Sequence, residues 1–220
     1  GACLMREPKL VRDSVAAMRD AVGIEVTVKS RLGVDELDSY EYFSDFVHTV
    51  ADAGCRVFAI HARKAWLSGL SPKENRDLPE LRPDWAYRLK QENPGLTVIL
   101  NGGVKSLDEA RAHLALVDGV MLGREAYQNP WMLAAVDEEL FDMDKTAESR
   151  DDVIAALLPY TERQLAGGAQ LNHITRHILG LYQGVPGARK FRRHLSENAY
   201  RKEAGIEVLT EAHALVSRIY

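Results

Sequence analysis

Four short aliphatic runs, each set between stretches of helical periodicity, constrain this chain more than any other feature: Val26 to Val28, Val57 to Ile60, Val98 to Leu100 and Val120 to Leu122. Each is almost continuously apolar, the pattern of a strand covered on both faces. Strands alternating with helices build a parallel sheet through right-handed crossovers. Each run then breaks off into polar residues: Lys29-Ser30-Arg31, His61-Ala62-Arg63, Asn101-Gly102-Gly103 and Gly123-Arg124. In a β/α barrel the carboxyl ends of the strands carry the chemistry, so these residues are the first candidates for a site that holds a phosphorylated, electron-rich cofactor.

The periodicity predicts a helix after Glu7-Pro8 on Leu10, Val11, Val15, Met18 and Val22, then a strand from Ile24 to Val28. A helix from Ser39 to Ala53 leads through Gly54 into a strand from Arg56 to Ile60. A long loop from Ala62 to Pro79 precedes a helix around Pro83 to Glu92. Asn93-Pro94-Gly95 turns into a strand from Thr97 to Leu100. A helix from Ser106 to Ala115, with Glu109 three residues after its N-cap candidate, precedes a last strand from Asp118 to Leu122. Four such units are half of an eight-stranded barrel, which leaves open strand edges, poor solubility and self-association as expectations.

From Ser149 the pattern is helical only, through Val153, Ile154, Leu157, Leu158 and Tyr160, then Ile174, Ile178, Leu179, Leu181 and Tyr182, then Val208, Leu209, Leu215, Val216 and Ile219. The predicted architecture is α/β: the C-terminal half of a β/α (TIM-type) barrel over residues 1–143, followed by an all-α domain over 144–220, joined near Phe141 to Lys145. With 46% hydrophobic residues and net charge −4, the chain reads as soluble and cytoplasmic, without a membrane span or signal peptide. Two cysteines, Cys3 and Cys55, make neither a disulfide scaffold nor a metal-ligand spacing, so no metal is expected.

Asn101-Gly102-Gly103 and Gly123-Arg124 end successive strands. There glycines let backbone N–H groups approach a phosphate and an arginine completes the site. Either motif alone is an ordinary turn. Lys29, Arg31 and His61 converge on the same rim, where the alternative is a solvated strand end. A lysine so placed could stabilise an anionic reduced flavin ring. The segment from His61 to Arg76 is long for a connector and basic, with Trp66 among Arg63, Lys64, Lys73 and Arg76. That mixture suits RNA, though an ordinary surface flap has the same composition. Gly184 to Glu203 holds Arg189, Lys190, Arg192, Arg193, Arg201 and Lys202 against Glu197 and Glu203, a local cationic excess that is either a solvated face or a phosphate footprint.

The stretch His61-Ala62-Arg63-Lys64-Ala65-Trp66-Leu67-Ser68-Gly69-Leu70-Ser71-Pro72-Lys73-Glu74-Asn75-Arg76 closely resembles a signature of the bacterial tRNA-dihydrouridine synthases, in their A subfamily, the tRNA-dihydrouridine(20/20a) synthases. Gly1 to Met5, Val26 to Gly33, Asn101 to Lys105, Asp118 to Tyr127 and Gly187 to Arg193 also match, so the resemblance spans the chain. It implies an FMN-dependent barrel with a helical tRNA-binding domain, monomeric at full length. NADPH reduces the flavin, hydride passes to C6 of a flipped-out uridine in the tRNA D-loop, and a cysteine protonates C5. Lys29, His61, Asn101, Gly102, Gly103, Gly123 and Arg124 then match cofactor-binding positions, and Lys73, Arg76, Arg189 and Arg192 match tRNA-binding positions.

The resemblance also places the general-acid cysteine in a Gly-Cys-Pro motif upstream of the stretch matching Gly1-Ala2-Cys3. Cys3 is therefore not that residue, and no catalytic residue is assigned in these 220 residues. The expectation is the last two thirds of such an enzyme, inactive by itself. Two other readings remain: a non-catalytic tRNA-binding fragment, marked by RNA binding without flavin absorbance, and another FMN-dependent barrel oxidoreductase acting on a small molecule. The tryptophan-bearing loop and the basic stretch after Gly187 argue against the last.

Overall fold

The strands assemble side by side in the order in which they occur along the chain. In the computed structural model, which describes residues 1–217, β1 (Val28–Arg31), β2 (Val57–His61), β3 (Thr97–Asn101) and β4 (Gly119–Met121) form one sheet of order β1-β2-β3-β4, every neighbouring pair parallel. A parallel sheet wound in one direction is the wall of a β/α barrel, as the alternation predicted.

A short 3-10 helix, Ala2–Arg6, precedes α1 (Pro8–Ala21), and α2 (Tyr40–Ala51) connects β1 to β2. A single turn, α3 (Glu74–Asp77), interrupts the long loop before α4 (Pro83–Glu92), and α5 (Leu107–Leu114) connects β3 to β4. The helix starts obey local chemistry: Pro8 and Pro83 occupy first-turn positions, where a missing N–H costs nothing. Ser39 accepts from the Tyr42 N–H and Ser106 from the Glu109 N–H, each filling one donor the first turn leaves unpaired.

The first strand departs from the prediction. Ile24 is 77% exposed, and the ladder begins only at Val28, opposite Phe58, so β1 occupies the polar end of the run. Pairing with β2 decides the strand, and the residues before Val28 have no ladder partner there.

Register makes the two faces of the sheet chemically different. Phe58, Ile60, Val98 and Leu100 point to one side and are fully buried with Phe43, Val47 and Val50 of α2 and Ala86 and Leu89 of α4. On the opposite side lie two rows, Lys29-Ala59-Ile99-Gly119 and Arg31-His61-Asn101-Met121. Apart from Ala59, these residues are exposed or half-buried, so this is the accessible face.

The chain divides into compact units at Gly1–Gly123 and Arg124–Tyr220, whereas the periodicity placed a junction at Phe141 to Lys145. Contacts in the second unit account for the earlier division. After α6 (Arg124–Gln128), a 3-10 helix (Pro130–Ala135) and α7 (Val136–Phe141), the Tyr127 hydroxyl reaches residues 176 and 177, and Arg150 stacks over Trp131. The unit continues through α8 (Arg150–Ala166), α9 (Leu171–Thr175), α10 (Ala188–Asn198) and α11 (Ile206–Ser217) around Ile154, Leu171, Leu181, Tyr182, Phe191, Leu195, Leu209 and Val216. Ile219 lies outside the described residues.

The run from Ile174 to Tyr182 is not one helix. After α9 the backbone proceeds by successive turns, Ile178 N–H to Thr175, Leu181 to Ile178, Gln183 to Gly180 and Val185 to Tyr182. Gly184 and Gly187 take positive φ (+78° and +88°) and Pro186 lacks a donor, so an α-helix cannot continue. No described helix is long and apolar enough to cross a membrane.

Candidate cofactor and RNA-contact site

Arg31, His61, Asn101 and Met121 form one row across the strand ends, and Lys29 lies two residues below Arg31 on the same side. The sheet thus brings Lys29, His61 and Asn101 to one rim. Gly102 and Gly103 follow Asn101 at φ +107° and +81°, where side chains are strained. A Cβ on Gly102 would lie 2.7 Å from the His61 ring, and one on Gly103 would lie 2.5 Å from the Leu81 side chain. The positions therefore demand glycine for both conformation and close approach. Asn101 is committed locally, its Nδ2 donating to the Met121 carbonyl at 2.8 Å and joining the ends of β3 and β4. Gly123 has open space around it and is exposed. Arg124, also exposed, is the first residue of the second unit.

The rim is strongly electropositive. Desolvation at the strand end, followed by repulsion from Arg31, holds the Lys29 ammonium below its usual range, although solvent reaches part of the side chain. Desolvation acts likewise on Arg31, followed by repulsion from Arg63 and Arg76. A cluster of cations that repel one another is relieved by an anion.

The loop after β2 is ordered by its own residues. It first runs beside residues 32–35, with Leu32 N–H bonded to the Arg63 carbonyl, Ala65 N–H to Gly33 and Asp35 N–H to Ala65. Asp35, at φ +50°, accepts from the Leu67 N–H and pairs with Arg6. Asn75 staples the distal part: its Oδ1 accepts from the Trp66 N–H and its Nδ2 donates to the Trp66 carbonyl, both at 2.8 Å. The Asn75 and Lys64 carbonyls in turn accept from the Arg31 guanidinium at 2.9 and 3.1 Å, joining the loop to the strand end.

These bonds sort the loop cations. Arg63 donates to the Pro79 carbonyl, and Lys64 pairs with Asp38 at 2.8 Å while lying 4.0 Å over the Trp66 ring. The half-buried Trp66 ring thus stacks with a cation of its own loop. Lys73 and Arg76 are exposed and have no carboxylate partner among the described residues. Sequence reasoning missed Asn75 and Asp35 as organisers, because their partners are loop backbone groups that no residue spacing announces.

In the second unit, α10 turns Ala188, Phe191 and Leu195 inward and leaves Arg189 and Lys190 exposed. Arg193 is paired with Glu197 at 2.7 Å, one turn on. Arg192 is half-buried on a different side and lines a cleft with Tyr127, Arg176 and His177. That cleft was not legible, since its walls come from segments far apart in the chain.

Comparison with known proteins adds what geometry does not supply. The family model described as "Dihydrouridine synthase (Dus)" matches residues 1–217. The chain belongs to the dihydrouridine synthase family. A relative named tRNA-dihydrouridine(20/20a) synthase from Yersinia pestis is 60% identical over 221 residues, covering 100% of this chain and 64% of the relative. Proteins of the same name from Vibrio parahaemolyticus and Escherichia coli (strain K12) are 57% and 58% identical, covering 99% of this chain in each case and 67% and 63% of their own lengths. The chain thus spans about two thirds of the dihydrouridine synthases it matches, and the rim and loop lie within the shared part.

Proposed function

We propose that the protein to which these residues belong reduces uridine to 5,6-dihydrouridine in the D-loop of tRNA, with FMN as its resident cofactor and NADPH as reductant. The observation that carries this reading is the cationic rim beside the glycine pair. Lys29, Arg31, Arg63 and Arg76 gather positive charge, and Gly102 and Gly103 hold the strand-end turn at positive φ without side chains of their own, which suits an anionic, phosphorylated ring system.

Bound flavin supplies the hydride that adds to C6 of the uracil ring. The residues of this chain hold and orient. Lys29 and His61 would hold the ring system from neighbouring strands, and the Gly102 and Gly103 backbone, with Gly123, would take the phosphate. Asn101 fixes the rim by tying β3 to β4. Lys73 and Arg76 in the loop and Arg189 and Arg192 on α10 take RNA phosphates, in keeping with the absence of acidic partners for all four among the described residues.

The resemblance assigns the proton for C5 to a cysteine of a Gly-Cys-Pro motif, and Cys55 does not take that part. Burial pushes the Cys55 thiol up, and its single proton can go to the Val26 or the Val57 carbonyl, each 3.5 Å from the sulfur, out of reach of a substrate. The sequence contains no Gly-Cys-Pro motif. The 220 residues assayed alone therefore bind but do not turn over. Titration of FMN into the chain, followed by the flavin absorbance, gives saturable binding that Lys29→Ala weakens. Absence of binding overturns the cofactor assignment, and uridine reduction by the 220 residues with FMN, NADPH and tRNA overturns the inactivity.

A further inference from the structure

A cleft beside α10 brings aromatic, cationic and amide side chains together. It is an open cleft of about 310 Å³, and its walls come from α6, from the turns that follow α9, and from α10. That volume lies at the small end of ligand sites and suits a group the size of one nucleotide.

Tyr127, Arg176 and His177 are joined in a cycle that closes through the Arg176 backbone carbonyl. The Arg176 Nε–H donates to His177 Nε2 at 3.0 Å, which leaves the ring proton on Nδ1. That proton is donated to the Tyr127 hydroxyl at 2.9 Å, and the hydroxyl donates to the Arg176 carbonyl at 3.4 Å. The Tyr127 and His177 rings meet edge to face, with centroids 5.8 Å apart, so Tyr127, although 55% exposed, is held in place. Gly180 lets the turn backbone touch the Gln128 carbonyl, where a Cβ would collide.

Charge is unbalanced in the cleft. Neither Arg176 nor Arg192 has a carboxylate partner among the described residues, and no acidic side chain lines the walls. Arg193, next to Arg192 but outside the cleft, is neutralised by Glu197. Gln128 and Gln183 add amides, which donate and accept in one plane and so match the edge of a nucleobase.

We propose that this cleft is a subsite for one unstacked ribonucleotide of single-stranded RNA, its base against the Tyr127 ring and its phosphate between Arg176 and Arg192. The assignment rests on the RNA-binding reading given above and extends it to Tyr127, Arg176 and His177. A ring fixed by its neighbours gives a stacking surface without an ordering cost, and two cations free of carboxylates give phosphate affinity. A free dinucleotide shares this chemistry, so the test includes one.

The test uses the full 220-residue chain, a tRNA transcript, a hexauridylate and NADPH, with binding followed by fluorescence anisotropy or protein fluorescence over a series of salt concentrations. Tyr127→Ala and Arg176→Gln each weaken tRNA and hexauridylate roughly tenfold. Arg176→Gln also lowers the salt slope by about one. Tyr127→Phe keeps the ring and stays within about threefold of the parent, and Arg163→Gln, an exposed charge on α8 outside the cleft, binds like the parent. Matching circular dichroism and unfolding temperature qualify each variant, and Arg176→Lys, which keeps the charge, substitutes for Arg176→Gln if that variant is misfolded, with a loss of at least threefold. Unchanged affinity in Tyr127→Ala and the Arg176 variant, while Arg189→Gln weakens tRNA binding, overturns the subsite and leaves RNA binding intact. A parent chain that binds no tRNA overturns both. Loss of NADPH binding with RNA binding unaffected makes the ligand a free dinucleotide and overturns the RNA assignment.

Discussion

Two residues that carry no charge decide how the charged ones are presented. Asn75 sits between Lys73 and Arg76 and uses its amide on the Trp66 backbone and, at 3.4 Å, the Leu70 carbonyl, while its own carbonyl receives Arg31. Asn75→Ala therefore removes three hydrogen bonds, the two short ones to Trp66 worth about 1 kcal/mol each in net stability, and frees the distal loop. The expected result is several-fold weaker tRNA binding and faster proteolysis between Leu67 and Leu78, with FMN binding changed little; protease resistance equal to the parent would contradict the staple. Gly102 acts through conformation. At φ +107° and against His61, alanine costs about 1–3 kcal/mol and displaces the ring, so Gly102→Ala lowers the unfolding temperature and weakens FMN together. An unfolding temperature equal to the parent's would refute the close approach.

At the scale of elements, the sheet is closed at its lower end by a side chain. Asp118, just before β4, accepts from the Val98 N–H at 2.8 Å and pairs with Lys90 of α4 at 2.8 Å, and Lys90 also donates to the Leu96 carbonyl. Desolvation pushes the Asp118 carboxyl upward, but Lys90 and the Val98 N–H outweigh it and hold the group below the usual carboxylate range. Folding thus favours the ionised form: the stabilisation is complete above the unfolded carboxylate range, near pH 4, and is lost as pH falls through the depressed folded value. Asp118→Ala leaves the buried Val98 N–H without its acceptor and costs about 1–3 kcal/mol. Thermal unfolding at pH 7 and pH 3 measures this, with the gap between parent and variant narrowing in acid; a gap that stays constant would assign the cost to something other than the ion pair.

Elements were readable from the sequence where local chemistry and burial agree. Ser39, Ser106 and the prolines at positions 8 and 83 mark helix starts, and the apolar runs at Val57 and Val98 mark strands buried beneath helices. The reading slipped where pairing or backbone freedom decides, as at Ile24, which is apolar but unpaired, and at Ile174 to Tyr182, where glycines and Pro186 break a helical period. The rim at Lys29, His61, Asn101, Gly102 and Gly103 was legible because parallel strands place all their carboxyl ends on one side. The loop staple and the cleft were not, since both depend on partners brought together only by tertiary contacts.

Across the whole molecule the charge is −4, so bulk attraction cannot account for binding to a polyanion. The candidate RNA contacts are instead local cations without a carboxylate partner among the described residues: Lys73 and Arg76 on the loop, Arg189 and Lys190 on the outer face of α10, and Arg176 and Arg192 in the cleft. Binding by such sites releases counterions in proportion to the phosphates they neutralise, whatever the net charge of the protein. A plot of log affinity for tRNA against log salt is therefore expected to fall with a slope of about −3 to −5. Lys73→Gln and Arg189→Gln each reduce that slope by about one and weaken all RNA sequences alike. The decisive comparison is with Arg193→Gln: its charge is already satisfied by Glu197, so it leaves the slope unchanged, and an equal reduction there would mean that α10 attracts RNA as a diffuse basic face rather than through individual contacts.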